Sequence, residues 1–223
     1  MLKAIILGIL LTTGCAWAEV TASLSNTAPA NAYLENSPQG NSNSIQWKYT
    51  NEGSDKRHVG QSFQITESIL FSGITFQVKQ NRAGSYEAEF RLSLYATDPS
   101  TNLPVGSAFY EETGFLPNQA YTDGQYLSFM LSEAVVLAPG QYGVLLSFES
   151  PRSQRDVNFY TASASSYPAG RGFTYELIDG TFSYRALGGN LNFFVHATAI
   201  PEPSVLPWLL MGGVLVRFCR RAA

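Results

Sequence analysis

The sequence predicts an all-β protein: an antiparallel β-sandwich of jelly-roll-like winding. Three observations carry that expectation. Apolar residues recur with period two along most of residues 61–199, the pattern of strands with one buried and one wet face. Gly, Pro and Asp turn signals interrupt the pattern at short spacing, as hairpin-rich folds require. Between the two chain ends, no stretch keeps a helical period over three turns. Eight or nine strands are expected, with no internal repeat.

The elements follow in order. Residues 19–60 are dominated by Asn, Ser, Gly, Pro and Thr, so an irregular, loosely packed entry segment is expected, with one strand around Ile45 to Tyr49. Extended chain there puts Trp47 and Tyr49 on one face. From Gln61 the alternation is regular. Ile74, Phe76 and Val78 face one way, and Thr75, Gln77 and Lys79 the other. Ala88, Phe90, Leu92 and Leu94 alternate with Glu87, Glu89, Arg91 and Ser93. The loop Gln80 to Ser85 joins these two runs, and Asp98 to Asn102 makes a turn. Val105 to Phe115 is a weaker strand with Phe109 on its apolar side. Leu127, Phe129 and Leu131 follow the Asp123-Gly124 turn. Ala138-Pro139-Gly140 then leads into Tyr142, Val144, Leu146 and Phe148, the most apolar strand and the expected centre of a sheet.

A polar loop, Ser150 to Asp156, and a short strand, Val157 to Thr161, come next. Asp179-Gly180 between two strand runs is the strongest hairpin signal in the chain. A two-residue turn there places Leu177 opposite Phe182 and Tyr175 opposite Tyr184, so both pairs share a face. Leu191, Phe193, Val195 and Ala197 close the domain, with Asn192, Phe194 and His196 pointing outward.

Both ends carry targeting patterns. Lys3, the apolar run Ala4 to Leu11 and the small-x-small triplet Ala16-Trp17-Ala18 read as a secretory signal over residues 1–18, cut after Ala18. Thr12-Thr13-Gly14-Cys15 is similar to a lipoprotein cleavage box, except that Thr12 stands where an aliphatic residue is expected. Residues 200–223 form a tail: Pro201-Glu202-Pro203, an uncharged run from Val205 to Val216, then Arg217, Arg220 and Arg221. An apolar run held by Arg fits a segment entering a bilayer with its basic end cytoplasmic. The run has twelve residues, against ~20 for a spanning helix, and covers only ~18 Å at helical rise.

Composition narrows the functions. Cys15 and Cys219 are the only cysteines, both in the expected processed ends, so the exported domain has neither disulfide nor thiol chemistry. Without the ends, ten basic and sixteen acidic residues remain, a net charge of −6. That excludes a nucleic-acid partner, which needs a basic footprint. With two histidines, His58 and His196, paired-His metal sites and nucleophile triads are not expected, and no metal or other cofactor is implied.

Glu87 and Glu89 share one strand face at ~7 Å, yet an i,i+2 pair on a flat face does not flank a scissile bond. A solvated face balanced by Arg91 is the plainer reading. Asp98 to Asn102 offers too few carboxylates for calcium. Trp47, Tyr49, Tyr121, Tyr126, Tyr160 and Tyr167 are the candidates for stacking on sugar faces, with Trp47 and Tyr49 foremost.

The order of Pro-Glu-Pro, apolar run and Arg cluster resembles the PEP-CTERM sorting signal, found on exported proteins of exopolysaccharide-producing Gram-negative bacteria. The resemblance implies recognition by an exosortase, a membrane-embedded cysteine protease, and removal of the tail after export by the general secretion machinery. It makes Ala18, Pro201, Glu202, Pro203, Arg217, Arg220 and Arg221 the processing and sorting residues. Transient insertion in the inner membrane is implied, then delivery to the cell surface or extracellular matrix.

Gly60-Gln61-Ser62-Phe63, Phe71-Ser72-Gly73-Ile74-Thr75-Phe76, Leu92-Ser93-Leu94-Tyr95 and Leu137-Ala138-Pro139-Gly140-Gln141-Tyr142 also occur in the order of the choice-of-anchor R domains. That resemblance covers Gly60 to Phe148. It implies an exported β-sandwich without assigned chemistry. The leading expectation is thus a non-enzymatic exported protein associated with exopolysaccharide. A carbohydrate-binding module is the alternative, and a polysaccharide-active enzyme the third.

Overall fold

The computed structural model describes residues 19–38, 43–49, 56–81, 88–149, 157–178 and 181–201. Fourteen strands occur among them: β1 (Glu19–Ser25), β2 (Leu34–Asn36), β3 (Ser44–Tyr49), β4 (Lys56–Ile65), β5 (Ile69–Asn81), β6 (Glu89–Thr97), β7 (Pro104–Phe115), β8 (Tyr126–Leu137), β9 (Gly140–Phe148), β10 (Val157–Ser163), β11 (Gly172–Ile178), β12 (Thr181–Ala186), β13 (Gly189–Leu191) and β14 (Phe193–Ala199). One 3-10 turn, Ala164–Ser166, accompanies them. The chain is all-β, as its alternation predicts.

The winding follows from three nested antiparallel pairs: β6 with β7, β5 with β8, and β4 with β9. These are the rungs of one long hairpin whose turn is Asp98 to Asn102. Curling that hairpin over brings β9 beside β6 and makes two layers, the jelly-roll principle. One layer runs β12-β11-β4-β9-β6-β7 and the other β2-β14-β5-β8-β1. As expected, β9 is central, with β4 and β6 on either side.

The layers are joined at both flanks. Strand β1 pairs in parallel with β7 through Glu19 to Thr21 and antiparallel with β8 through Thr21 to Ser25. On the other flank β10 pairs with both β3 and β5, while the end of β3 pairs with β4. The ladder β5-β8-β1-β7-β6-β9-β4-β3-β10 therefore returns to β5. Closure removes sheet edges that would otherwise invite association.

The entry segment is a correction to the sequence reading. β3 is the strand expected around Ile45 to Tyr49, but residues 19–60 also supply β1, β2 and half of β4 where irregular chain was expected, and Val20 belongs to the core. Strand β1 turns only alternate residues inward, so its apolar content is low.

The core lies between the layers. Trp47 stacks on Phe148 at 4.0 Å and meets Phe90 and Phe129 edge-on at 6.2 Å. Phe63 of β4 stacks on Phe71 of β5 across the layers at 5.9 Å. Such pairs contribute ~0.5–1.5 kcal/mol each beyond the area they bury.

Candidate functional site

The foremost predicted sugar-stacking residue fails on geometry. Trp47 is 0% exposed, a core residue; β3 turns it inward at the flank where β3 and β10 close the ladder. Tyr49, two residues on, is half-buried, and the Lys56 ammonium sits 3.9 Å from its ring centroid. That contact is a cation–π interaction and occupies a ring face a sugar would need.

The remaining tyrosines are also engaged. Tyr121 is buried and donates to the Pro117 carbonyl. Tyr126 meets Phe194 edge-on, and Tyr160 donates to Asp123 at 2.7 Å. The Tyr167 hydroxyl accepts from the Gln64 N–H while its ring packs on Phe193.

The structure instead gathers aromatics where the sequence reading named no site. Strand β11 pairs with β4, and β12 with β11 in the predicted register, Leu177 opposite Phe182 and Tyr175 opposite Tyr184. This hairpin curls over the outer face of its layer. Phe173 is buried against Gly60 and Gly143, and a methyl at Gly60 would overlap the Phe173 ring and the Val144 carbonyl. The curl carries Tyr184 to within 6.2 Å of Tyr95 on β6, ring to ring, although four ladders separate β12 from β6. Burial first, then a hydrogen bond to Tyr95, pushes the Tyr184 phenol well up from its usual range.

Tyr175 stacks on Phe182 at 4.9 Å, and His58 stacks on both at 6.0 and 6.1 Å. The rings turn their faces to one another, which makes a second small core and no open platform. His58 was expected in a polar entry region; it lies on β4, 7% exposed. Its Nδ1 has no partner among the described residues. Burial, with help from Lys56, pushes the imidazole down to about 4, so it is neutral at pH 7.

Beside this cluster, Arg91 bonds Glu149 at 2.6 Å and approaches Glu111 at 3.6 Å, while Ser93 donates to Glu111. The counter-charges for Arg91 come from Glu111 on β7 and from Glu149, the residue just after β9; these two strands flank β6. One guanidinium held between two carboxylates is an ion-pair network. Glu89 is half-buried, and Glu87 lies outside the described residues.

His196 does share a face with Asn192 and Phe194, but that face is not wet. Phe194 is 1% exposed and Asn192 is buried. His196 bonds Thr75 Oγ1 at 2.7 Å, and Thr75 bonds Ser128 Oγ at 2.7 Å. Burial lowers the His196 imidazole. The row resembles a relay, yet the buried Thr75 separates Ser128 from the imidazole, and no carboxylate among the described residues bonds the ring. Its evident work is cross-strand bonding of β8, β5 and β14.

In the Asp98 to Asn102 turn, Asp98 Oδ1 accepts from the Ser100 N–H and hydroxyl, both at 2.7 Å. That is ordinary Asx-turn chemistry, and it holds the Asp98 carboxyl below its usual range. Among the described residues, no three His, Cys, Asp or Glu side chains are grouped to hold a metal.

Of the sorting residues, only Pro201 is described, and it is exposed directly after β14. Ala18, Glu202, Pro203, Arg217, Arg220 and Arg221 lie outside the described residues. No described helix is long and apolar enough to cross a membrane. Comparison with known proteins finds no matching family model, no matching curated protein and no matching solved structure.

Proposed function

We propose that this is an exported, non-enzymatic scaffold, delivered to the cell surface or extracellular polysaccharide matrix after an exosortase removes its C-terminal tail. One observation carries the reading: the closed fold uses the chain between the two expected cuts. Val20, the second residue that a cut after Ala18 would leave, is already core. Strand β14 ends at Ala199, Ile200 N–H bonds the Ser68 carbonyl, and Pro201 is exposed. The described core, Val20 to Val195, would remain on the product of both cuts. The ordinary structural engagement of both histidines and of the Arg91 carboxylates supports a non-enzymatic role. Association with exopolysaccharide rests on the tail.

The test is to replace Pro201, Glu202 and Pro203 by alanine in a host that carries an exosortase. The variant is expected to stay in the inner-membrane fraction while the parent is recovered outside it. Equal recovery of both outside the membrane would retire the sorting role.

A further inference from the structure

We infer that two copies of this protein associate edge to edge through β12. Few strand edges remain open among the described residues. Closure of the ladder pairs most strands on both sides. Strands β2 and β13 have single partners but only three residues each.

Two longer edges are irregular. The part of β7 beyond the reach of β1 carries Gly106 at φ 69° and a register shift against β6. The corresponding part of β8 carries a register shift against β5. Bulges of this kind spoil an edge for further pairing. Strand β12 has six residues, pairs only with β11 among the described residues, and runs without a register shift. It also lacks Pro, Gly and Lys.

Its free hydrogen-bonding groups can be assigned. Leu187 N–H bonds the Gly172 carbonyl. Antiparallel ladders alternate bonded and non-bonded pairs, so Arg185 with Thr174 and Ser183 with Glu176 are bonded pairs. The N–H and C=O groups of Phe182, Tyr184 and Ala186 therefore point away from β11.

The edge complements itself. A two-fold axis through Ser183, perpendicular to the sheet, sets Ser183 opposite Ser183 of the second copy. Phe182 falls opposite Tyr184 of the second copy, and Thr181 opposite Arg185. Both Phe–Tyr pairs lie on one face, and such cross-strand aromatic pairs stabilise antiparallel ladders. The two Arg185 side chains do not oppose each other, and each has Glu176 of its own chain at 3.9 Å. Thr181, Ser183 and Arg185 are exposed in the single chain. Phe182 and Tyr184 exchange two backbone bonds with each other's counterparts on each side of the axis. The occupant of the edge is thus a second copy, in an isologous dimer.

Sedimentation velocity on the full chain in mild detergent tests this. The parent is expected to sediment at twice the chain mass. Ser183→Lys places two ammonium groups face to face and is expected to halve that mass. At a protein concentration low enough to leave the parent monomeric, parent and variant should melt at the same temperature, because Ser183 is exposed in the single chain. Ser183→Cys, in a chain with Cys15→Ser and Cys219→Ser, is expected to form a disulfide dimer that reductant dissolves. A monomeric parent would overturn the proposal. So would an oligomer indifferent to Ser183→Lys, including one held by the C-terminal apolar run, or a Ser183→Cys chain that stays monomeric without reductant.

Discussion

At the scale of single residues, burial decides what Trp47 and His58 do. Trp47 fills the centre of the aromatic core, so Trp47→Ala is expected to cost ~3–5 kcal/mol of stability, measured as a lowered urea midpoint. A binding residue at the surface would change stability little. His58 ties stability to pH. Its folded-state value of about 4 lies below the unfolded value of 6.5, so between those pH values the unfolded chain binds more protons. Stability is therefore complete above pH 6.5 and falls as pH drops toward 4, by up to ~3 kcal/mol. His196 adds a slope of the same sign. His58→Phe should flatten the pH dependence of the urea midpoint in that window, leaving the His196 part.

Neither assignment was legible in the sequence. Lys56 and Arg57 precede His58 and make its neighbourhood look solvated, and polar neighbours do the same for Trp47. What buries each is chain distant in sequence: β11 and β12 for His58, β10 and its neighbours for Trp47.

At the scale of elements, local chemistry was far more legible. Asp179-Gly180 announced the β11–β12 hairpin and its register. The alternation of Ile74, Phe76 and Val78, and of Leu92 and Leu94, marked the strands that line the core. Strand β1 was missed for a physical reason. Val20, Ala22 and Leu24 do alternate, but their small and polar neighbours read as loop.

One junction between elements rests on a polar clip. Beyond the reach of β1, Glu112 of β7 is 6% exposed. It accepts from the Tyr110 hydroxyl at 2.5 Å, and from the Ser132 N–H at 3.1 Å and the Ser132 hydroxyl of β8. Removing a buried acceptor strands its donors, at ~1–3 kcal/mol. Glu112→Ala is expected to lower the urea midpoint accordingly, and to speed amide hydrogen exchange at Ser132 before that of the β4–β9 ladder.

At the scale of the whole molecule, the described strands close into one ladder. All-β class and two-layer winding followed from period and turns. Closure did not, because β1, β3 and β10 each divide their pairing between partners, and such pairing leaves no trace in local periodicity. The candidate site was least legible of all: the aromatic cluster over Gly60 exists only because the hairpin curls across four ladders. The described core lies between Val20 and Val195, inside both cuts that the proposed export requires.

Intact-mass measurement on protein recovered outside the inner membrane tests that claim most directly. The predicted mass corresponds to a chain starting at Glu19 and lacking the apolar run and the Arg cluster. A recovered chain that still carries both residues 1–18 and residues 204–223 would contradict the account.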